Sequence, residues 1–172
     1  ITNDIAHALR TPTPEAEEIK IHYGVALQQM ADPDEMFEVP GIGERGPRRL
    51  SRLALADVIE PRVTELYELI QSELKRSGYQ ELLSSGIVLT GGSSVMRGMV
   101  ELGEEIFHMP VRLGMPKYAG SLAEVVQHPR YATAMGLLLE GLAQKKRGIQ
   151  AHRTRTFKQV LGNMRSWFEK NF

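Results

Sequence analysis

Gly86-Ile87-Val88-Leu89-Thr90-Gly91-Gly92 reads as a strand that runs into a corner. Ile87, Val88 and Leu89 follow one another without polar alternation, the pattern of a strand buried on both faces. Gly91 and Gly92 allow positive φ and let another group approach the backbone. Ser93 or Ser94 is placed to N-cap a helix spanning Met96 to Phe107, with its first amides pointing outward. A corner of this kind can hold an anion or a nucleotide at the helix N-terminus. It can equally be a tight strand-to-helix turn with no ligand, and the seven residues alone do not choose.

Upstream, Pro12 and Pro14 precede Glu15-Ala16-Glu17-Glu18-Ile19-Lys20, which predicts a helix from Thr13 or Pro14 with acids in its first turn, ending near Gly24. Residues 31–49 change to Asp-Pro-Asp, Phe37-Glu38-Val39, Pro40-Gly41, Gly43 and Gly46-Pro47, the composition of short strands joined by turns. Leu55, Val58, Ile59, Val63, Leu66, Leu69 or Ile70, and Leu74 then recur at helical spacing, predicting a long helix over 53–75 that Pro61 should kink or restart. Val111-Arg112-Leu113 suggests a short strand, Leu122 to Val126 a short helix, and Tyr131 to Ala143 a helix rich in small residues. The order implies an α/β layer carrying an insertion, with too few strands for a complete doubly wound sheet.

The 172 residues suffice for one ordinary domain or parts of two, and the absence of cysteine excludes disulfides and thiolate metal sites. The start at Ile1 in place of Met suggests a processed or cut piece. No run approaches the roughly 18 apolar residues of a membrane span, and no secretory segment opens the chain, so a protein that is soluble or peripheral to a membrane is expected. Net charge is zero, but residues 143–172 hold eight Lys and Arg against Glu169 alone, a net of +7, leaving −7 on the rest. Such asymmetry points to a tail meant for a polyanion, either an anionic membrane or nucleic acid.

The tail is a polar, basic linker over 143–156 followed by FKQVLGNMRSWFEKNF at 157–172. As a helix, Phe157, Val160, Leu161, Met164, Trp167 and Phe168 fall on one stripe, with Lys158, Arg165 and Lys170 among the residues opposite. Its length of roughly 24 Å is too short and too polar to cross a bilayer but suits the interface, the zone tryptophan prefers. A buried large apolar side chain is worth about 1.5–3 kcal/mol, and a Lys or Arg over an anionic leaflet about 1 kcal/mol. Together they exceed the hold of a single acyl chain. The competing reading packs the stripe on the protein itself or on a partner helix. Binding of the basic tail to nucleic acid fits a single tryptophan-led stripe less well.

Thr2-Asn3-Asp4-Ile5-Ala6, Leu9-Arg10-Thr11-Pro12, Ala16-Glu17-Glu18-Ile19-Lys20, Val58-Ile59-Glu60-Pro61-Arg62, Gly86 to Gly92 and the tryptophan-bearing terminal helix together resemble the C-terminal part of the bacterial cell-division family FtsA. The resemblance runs from the first residue to the last. FtsA belongs to the actin and Hsp70 superfamily, so it implies an α/β actin-like ATPase fold, here part of the second domain. Residues 1–30 and 79–142 would be its nucleotide-side subdomain, 31–78 a small inserted α+β subdomain, 143–156 a linker and 157–172 a membrane-targeting helix. The family pattern assigns Gly91, Gly92, Ser93 and Met96 to the adenosine-side turn of an ATP site. Glu17, Lys20 and Gly24 match the helix lining ribose and adenine, with Mg2+ accompanying ATP in the full-length protein.

In the family the inserted subdomain receives the acidic, apolar C-terminal tail of the tubulin-like protein FtsZ. Arg48, Arg49, Arg52, Arg62 and Glu65 are the residues here that could make that surface, because an acidic peptide needs fixed cations beside an apolar groove. Arg48 and its neighbours would also lie near the contact through which subunits polymerise. Phe157, Val160, Leu161, Met164, Arg165, Trp167, Phe168 and Lys170 would meet the lipid. The implied function is a membrane tether that anchors FtsZ filaments and other division proteins to the inner face of the cytoplasmic membrane at the division site, with no role for nucleic acid. What departs from the family is the absence of the first domain with its catalytic acids. As given, the chain should neither hydrolyse nor firmly hold ATP, and a sheet edge should be exposed. A sugar kinase of the same superfamily is the alternative, but it needs a catalytic Asp in a sugar site, and nothing in this stretch forms one.

Overall fold

The computed structural model describes residues 1–43, 46–117 and 123–147. They fall into two compact units, Ile1–Ala132 and Thr133–Phe172, the second described over 133–147 only. Of the segments expected to be nucleotide-side (1–30 and 79–142) and inserted (31–78), residues 1–132 lie within the first unit and 133–142 in the second.

Helix α1 (Thr2–Leu9) was not foreseen as an element; it buries Ile5 and Leu9 and stops because Arg10 turns left-handed, φ 44°. Thr11, held extended by Pro12, buries its hydroxyl and donates it to the Pro40 carbonyl at 2.8 Å. Helix α2 (Thr13–Tyr23) begins where the prolines predict, and Gly24 caps it, its amide donating to the Lys20 carbonyl. Only glycine fits there, since a Cβ on Gly24 would sit 2.3 Å from that same oxygen.

Strands β1 (Met36–Val39) and β2 (Arg48–Ser51) pair antiparallel, Phe37 opposite Leu50 and Val39 opposite Arg48. Phe37 and Val39 alternate inward, and the Phe37 ring stacks on Tyr23 with centroids 4.6 Å apart. Ser51 caps helix α3 (Arg52–Ser77), its Oγ accepting from the Ala54 amide at 3.2 Å, and Gly78 ends it with φ 73°.

The structure corrects the reading of α3 in two ways. Pro61 does not restart the helix, which runs unbroken for 26 residues. Proline removes one hydrogen bond of the ladder, but Leu55, Ile59 and Val63 are fully buried on both sides of it, so one core holds both halves. The buried face is also turned from the expected one. Tyr67 is inside, whereas Leu66, Leu69 and Ile70 are exposed. The inward Tyr67 packs at 5.1 Å on Phe107 and donates its hydroxyl to the Met99 carbonyl at 3.0 Å, and its desolvation pushes the phenol pKa up to about 12.

Strand β3 (Ile87–Leu89) pairs in parallel with β4 (Val111–Leu113), Ile87 opposite Val111 and Leu89 opposite Leu113. The crossover between them is helix α4 (Met99–Phe107), which buries Met99, Leu102 and Phe107. The expectation that β3 is buried on both faces is overturned: Val88 is 48% exposed, because no other layer covers its side of the strand among the described residues. The expected start of α4 shifts as well. Residues Gly92–Val95 form a 3-10 turn, Ser94 Oγ donates to the Gly91 carbonyl at 2.7 Å instead of capping a helix, and α4 begins after Gly98. Gly98 has φ 86°, which a right-handed helix cannot pass through, so the apolar pattern from Met96 is interrupted there. Helix α5 (Ala123–Val126) follows, then a turn at Pro129–Tyr131. Helix α6 (Ala132–Lys146) closes the described chain, one residue later in its start and three in its end than the composition suggests.

Two glycines separate conformational strain from steric exclusion. Gly78 and Gly86 both have positive φ, but an added Cβ meets nothing within 4 Å at Gly78 and lies 2.0 Å from the Pro110 carbonyl at Gly86. Gly78→Ala is expected to cost about 1 kcal/mol, the left-handed penalty alone. Gly86→Ala is expected to cost two to three times as much, because β3 must also part from Pro110. Urea unfolding of both variants against wild type checks the ratio.

Candidate functional site

A cleft of about 270 Å³ opens in the first unit between the C-terminal turn of α2 and the turn after β3. Lys20, Ile21, His22 and Gly24 form one wall, Gly92, Ser93, Val95, Met96 and Arg97 the other, with Arg52 and Arg130 at its ends. The walls are held together by backbone pairing. Val25 and Arg97 form a parallel bridge, and the Ala26 amide donates to the Arg97 carbonyl at 2.8 Å. Side chains add to this, since a Cβ on Gly24 would meet Met96 Sδ at 3.3 Å. On the far side, Gly91, at φ 99°, donates its amide to the Pro129 carbonyl at 3.2 Å, which brings Arg130 against Gly92.

The charges are arranged by α1 and α3. Lys20 Nζ donates to Glu17 at 2.6 Å and to Thr2 Oγ1 at 3.1 Å, and the Thr2 hydroxyl donates to the same Glu17 oxygen at 2.6 Å. The Lys20 hydrogen bond, then that of Thr2, holds the Glu17 carboxyl below its ordinary pKa. Lys20 is thereby fixed by α1, with two of its three donors engaged. Arg52 donates from Nε to the Tyr23 carbonyl at 3.0 Å and from Nη1 to Glu35 at 2.6 Å, which closes the cleft floor.

Of the residues singled out for a nucleotide, Lys20, Gly24, Gly92, Ser93 and Met96 line this cleft. Glu17 stands behind Lys20 as its partner, and Gly91 forms the root of one wall. Ile21, His22, Val95, Arg97 and Arg130 were not read from the sequence. Ile21 and Val95 adjoin motif residues and could have been included by neighbourhood, whereas Arg130 has no signal linking it to a turn nearly forty residues earlier. No group of three His, Asp or Glu that could hold a metal ion occurs among the described residues. The described lining of this cleft offers Mg2+ no carboxylate ligand.

The five residues expected to form a peptide surface are dispersed by the structure. Arg52 lines the cleft and is engaged by Glu35 and the Tyr23 carbonyl. Arg62 donates to both oxygens of Asp4, at 2.9 and 2.7 Å, and pairs with Glu65, so it joins α3 to the start of α1. Arg48 reaches the other end of α1 through a hydrogen bond to the Leu9 carbonyl. Arg49 lies opposite Glu38 in the β1–β2 pair and is exposed. The stripe of Phe157, Val160, Leu161, Met164, Trp167 and Phe168, with Arg165 and Lys170, lies outside the described residues. No helix among the described residues is long and apolar enough to cross a membrane.

A parallel strand pair crossed by one helix, beside a helix whose last turn faces a glycine corner, is the arrangement of one half of an actin-like protein. Solved structures agree: MreB5 of Spiroplasma citri bound to ADP superposes with a TM-score of 0.59 over 84% of this chain and 44% of that one, at 16% identity. The same protein bound to AMPPNP gives 0.64 over 85% and 44%, at 15% identity. At the level of sequence, the profile of the family Cell division protein FtsA matches residues 1–136, and the chain belongs to that family. FtsA of Pseudomonas aeruginosa is 51% identical over all of this chain, that of Neisseria meningitidis 44%, and that of Escherichia coli K12 38%. The chain spans 43% of the length of each of these relatives.

The Asp4–Arg62 pair generates a pH prediction. Arg62, the leading cause, lowers the Asp4 carboxyl from 3.8 to about 2. A depressed acid contributes stability above its unfolded pKa and loses it as pH falls through the folded value. Asp4→Asn should therefore lower stability by no more than about 1 kcal/mol at pH 7, given the partial exposure of both groups. The difference from wild type should vanish between pH 4 and pH 2 in denaturant titrations.

Proposed function

We propose that this chain forms the adenosine side of an ATP site in an actin-like division protein whose remaining residues supply the other side. The convergence of Lys20, Gly24, Gly92, Ser93 and Met96 on one cleft carries the reading, because helix and corner lie some seventy residues apart in sequence yet line the same cleft. The volume, about 270 Å³, is just below the roughly 300–1,000 Å³ of ligand pockets, so it suits base and sugar with the phosphates outside. The two MreB5 structures, described as bound to ADP and AMPPNP, support the same reading. Mg2+ and the catalytic acids would come from the rest of the protein and from the nucleotide phosphates. Among the described residues no carboxylate lines the cleft to serve the sugar-kinase reading.

In the cell the full-length protein assembles in a nucleotide-dependent way and ties FtsZ filaments to the inner face of the cytoplasmic membrane at the division site. Arg48 and Arg49 on β2, Arg52 at the start of α3, and Arg62 with Glu65 are the residues of this chain offered to the acidic FtsZ tail. The amphipathic stripe from Phe157 to Phe168 would enter the headgroup region, with Arg165 and Lys170 on anionic lipid. Family membership and the charge division of the sequence support this tether; it binds other division proteins through surfaces the chain does not define.

Two measurements test the proposal. In the full-length protein, Lys20→Ala should weaken ATP binding at least tenfold by calorimetry, and an unchanged affinity would remove the cleft from the site. Wild-type protein should sediment with vesicles containing anionic lipid and lose that binding on Trp167→Glu. Equal binding to neutral vesicles and by the variant would refute the tether.

A further inference from the structure

Two features of the cleft concern which base it takes, and they rest on its reading as a nucleotide site. Ile21 on α2 and Val95 in the turn after β3 are large aliphatic side chains left 58% and 46% exposed, and both line the same cleft from its two walls. The carbonyl end of α2 faces this space, the negative end of the helix dipole, which disfavours phosphate there. An apolar-sided slot at a helix C-terminus suits the flat face of a base better than its phosphates.

The polar groups around that slot are donors. Lys20 and Arg52 are occupied by Glu17, Thr2, Glu35 and Tyr23, whereas the Arg97 and Arg130 guanidinium groups carry no ion pair or hydrogen bond among the described residues. Their backbones are fixed, Arg97 by the bridge to Val25 and Arg130 by its amide donating to His128 Nδ1 at 3.2 Å. Arginine has five donors and no acceptor. On a purine edge it matches O6 and N7 of guanine, whereas adenine presents an amino donor beside N7. Among the described residues no carboxylate lines the cleft to accept from that amino group, and Ser93 Oγ and His22 are the side-chain acceptors.

We propose that Ile21 and Val95 enclose the base and that Arg130, assisted by Arg97, reads its edge, so that the site accepts guanine about as well as adenine. Arg130 is thus the residue that sets base preference.

Calorimetric titration of the full-length protein with ATP and with GTP, in the presence of Mg2+, tests this. The wild-type protein should bind GTP within tenfold of ATP. Arg130→Gln, an exposed substitution that puts an amide able to pair with adenine in place of the guanidinium, should weaken GTP about tenfold and ATP less than threefold. Arg97→Gln should shift the ratio in the same direction. GTP binding more than tenfold weaker than ATP in the wild type would overturn the inference while leaving the nucleotide site intact. Equal weakening of both nucleotides by Arg130→Gln would also overturn it, since the arginine would then supply charge without reading the base. If neither nucleotide binds, the nucleotide site itself is wrong and this inference falls with it.

Discussion

One helix face organises the first unit. Leu55, Ile59, Val63 and Tyr67 recur every four residues along α3 and are all but completely buried, against Ile5 and Leu9 of α1 at one end and Met99 and Phe107 of α4 at the other. Each such burial is worth about 1.5–3 kcal/mol, so this stripe outweighs any single polar contact in the unit. It is strong enough to carry the helix through Pro61. Because α3 is rigid over its length, Arg52 at its first residue is delivered under the last turn of α2, where it meets the Tyr23 carbonyl and Glu35. The cleft floor is therefore set by packing that takes place along the helix and not by residues of the cleft.

The polar contacts have a different task. Asp4–Arg62, Arg48 with the Leu9 carbonyl, and the Thr2–Glu17–Lys20 cluster all fasten α1 to its neighbours. Partly exposed pairs of this kind contribute from nothing to about 1 kcal/mol each, too little to hold the fold. What they do fix is direction. Lys20, which lines the cleft, is held by Glu17 and Thr2, and Arg62 is held by Asp4 and Glu65.

The elements of this chain divide by how far their cause reaches along the sequence. The start of α2 at Thr13, its end at Gly24, the strand after Gly86 and the strand at Val111 follow from prolines, glycines and β-branched residues within a few positions, and these were legible. The 3-10 turn at Gly92–Val95 reads locally as a helix start because Ser93 and Ser94 satisfy the capping rule, whereas the obstruction lies at Gly98, which is left-handed at φ 86° and where a Cβ would meet the Leu27 amide at 2.9 Å. The face of α3 was misplaced by part of a turn for a similar reason. Periodicity shows that a helix has an apolar side, but Leu66 and Tyr67 compete for it, and the packing of Phe107 selects Tyr67.

The site divides along the same line. Family motifs in the linear chain named Lys20, Gly24, Gly92, Ser93 and Met96, and charge counting separated an acidic body from a basic tail, because both depend on residue identity and order alone. The placement of Arg52 on the cleft, the sharing of α1 between Arg48 and Arg62, and the arrival of Arg97 and Arg130 beside Ile21 and Val95 were decided in three dimensions. Side chains from α2, α3 and two separate turns converge there, and no local rule of spacing encodes where a distant backbone will place a guanidinium.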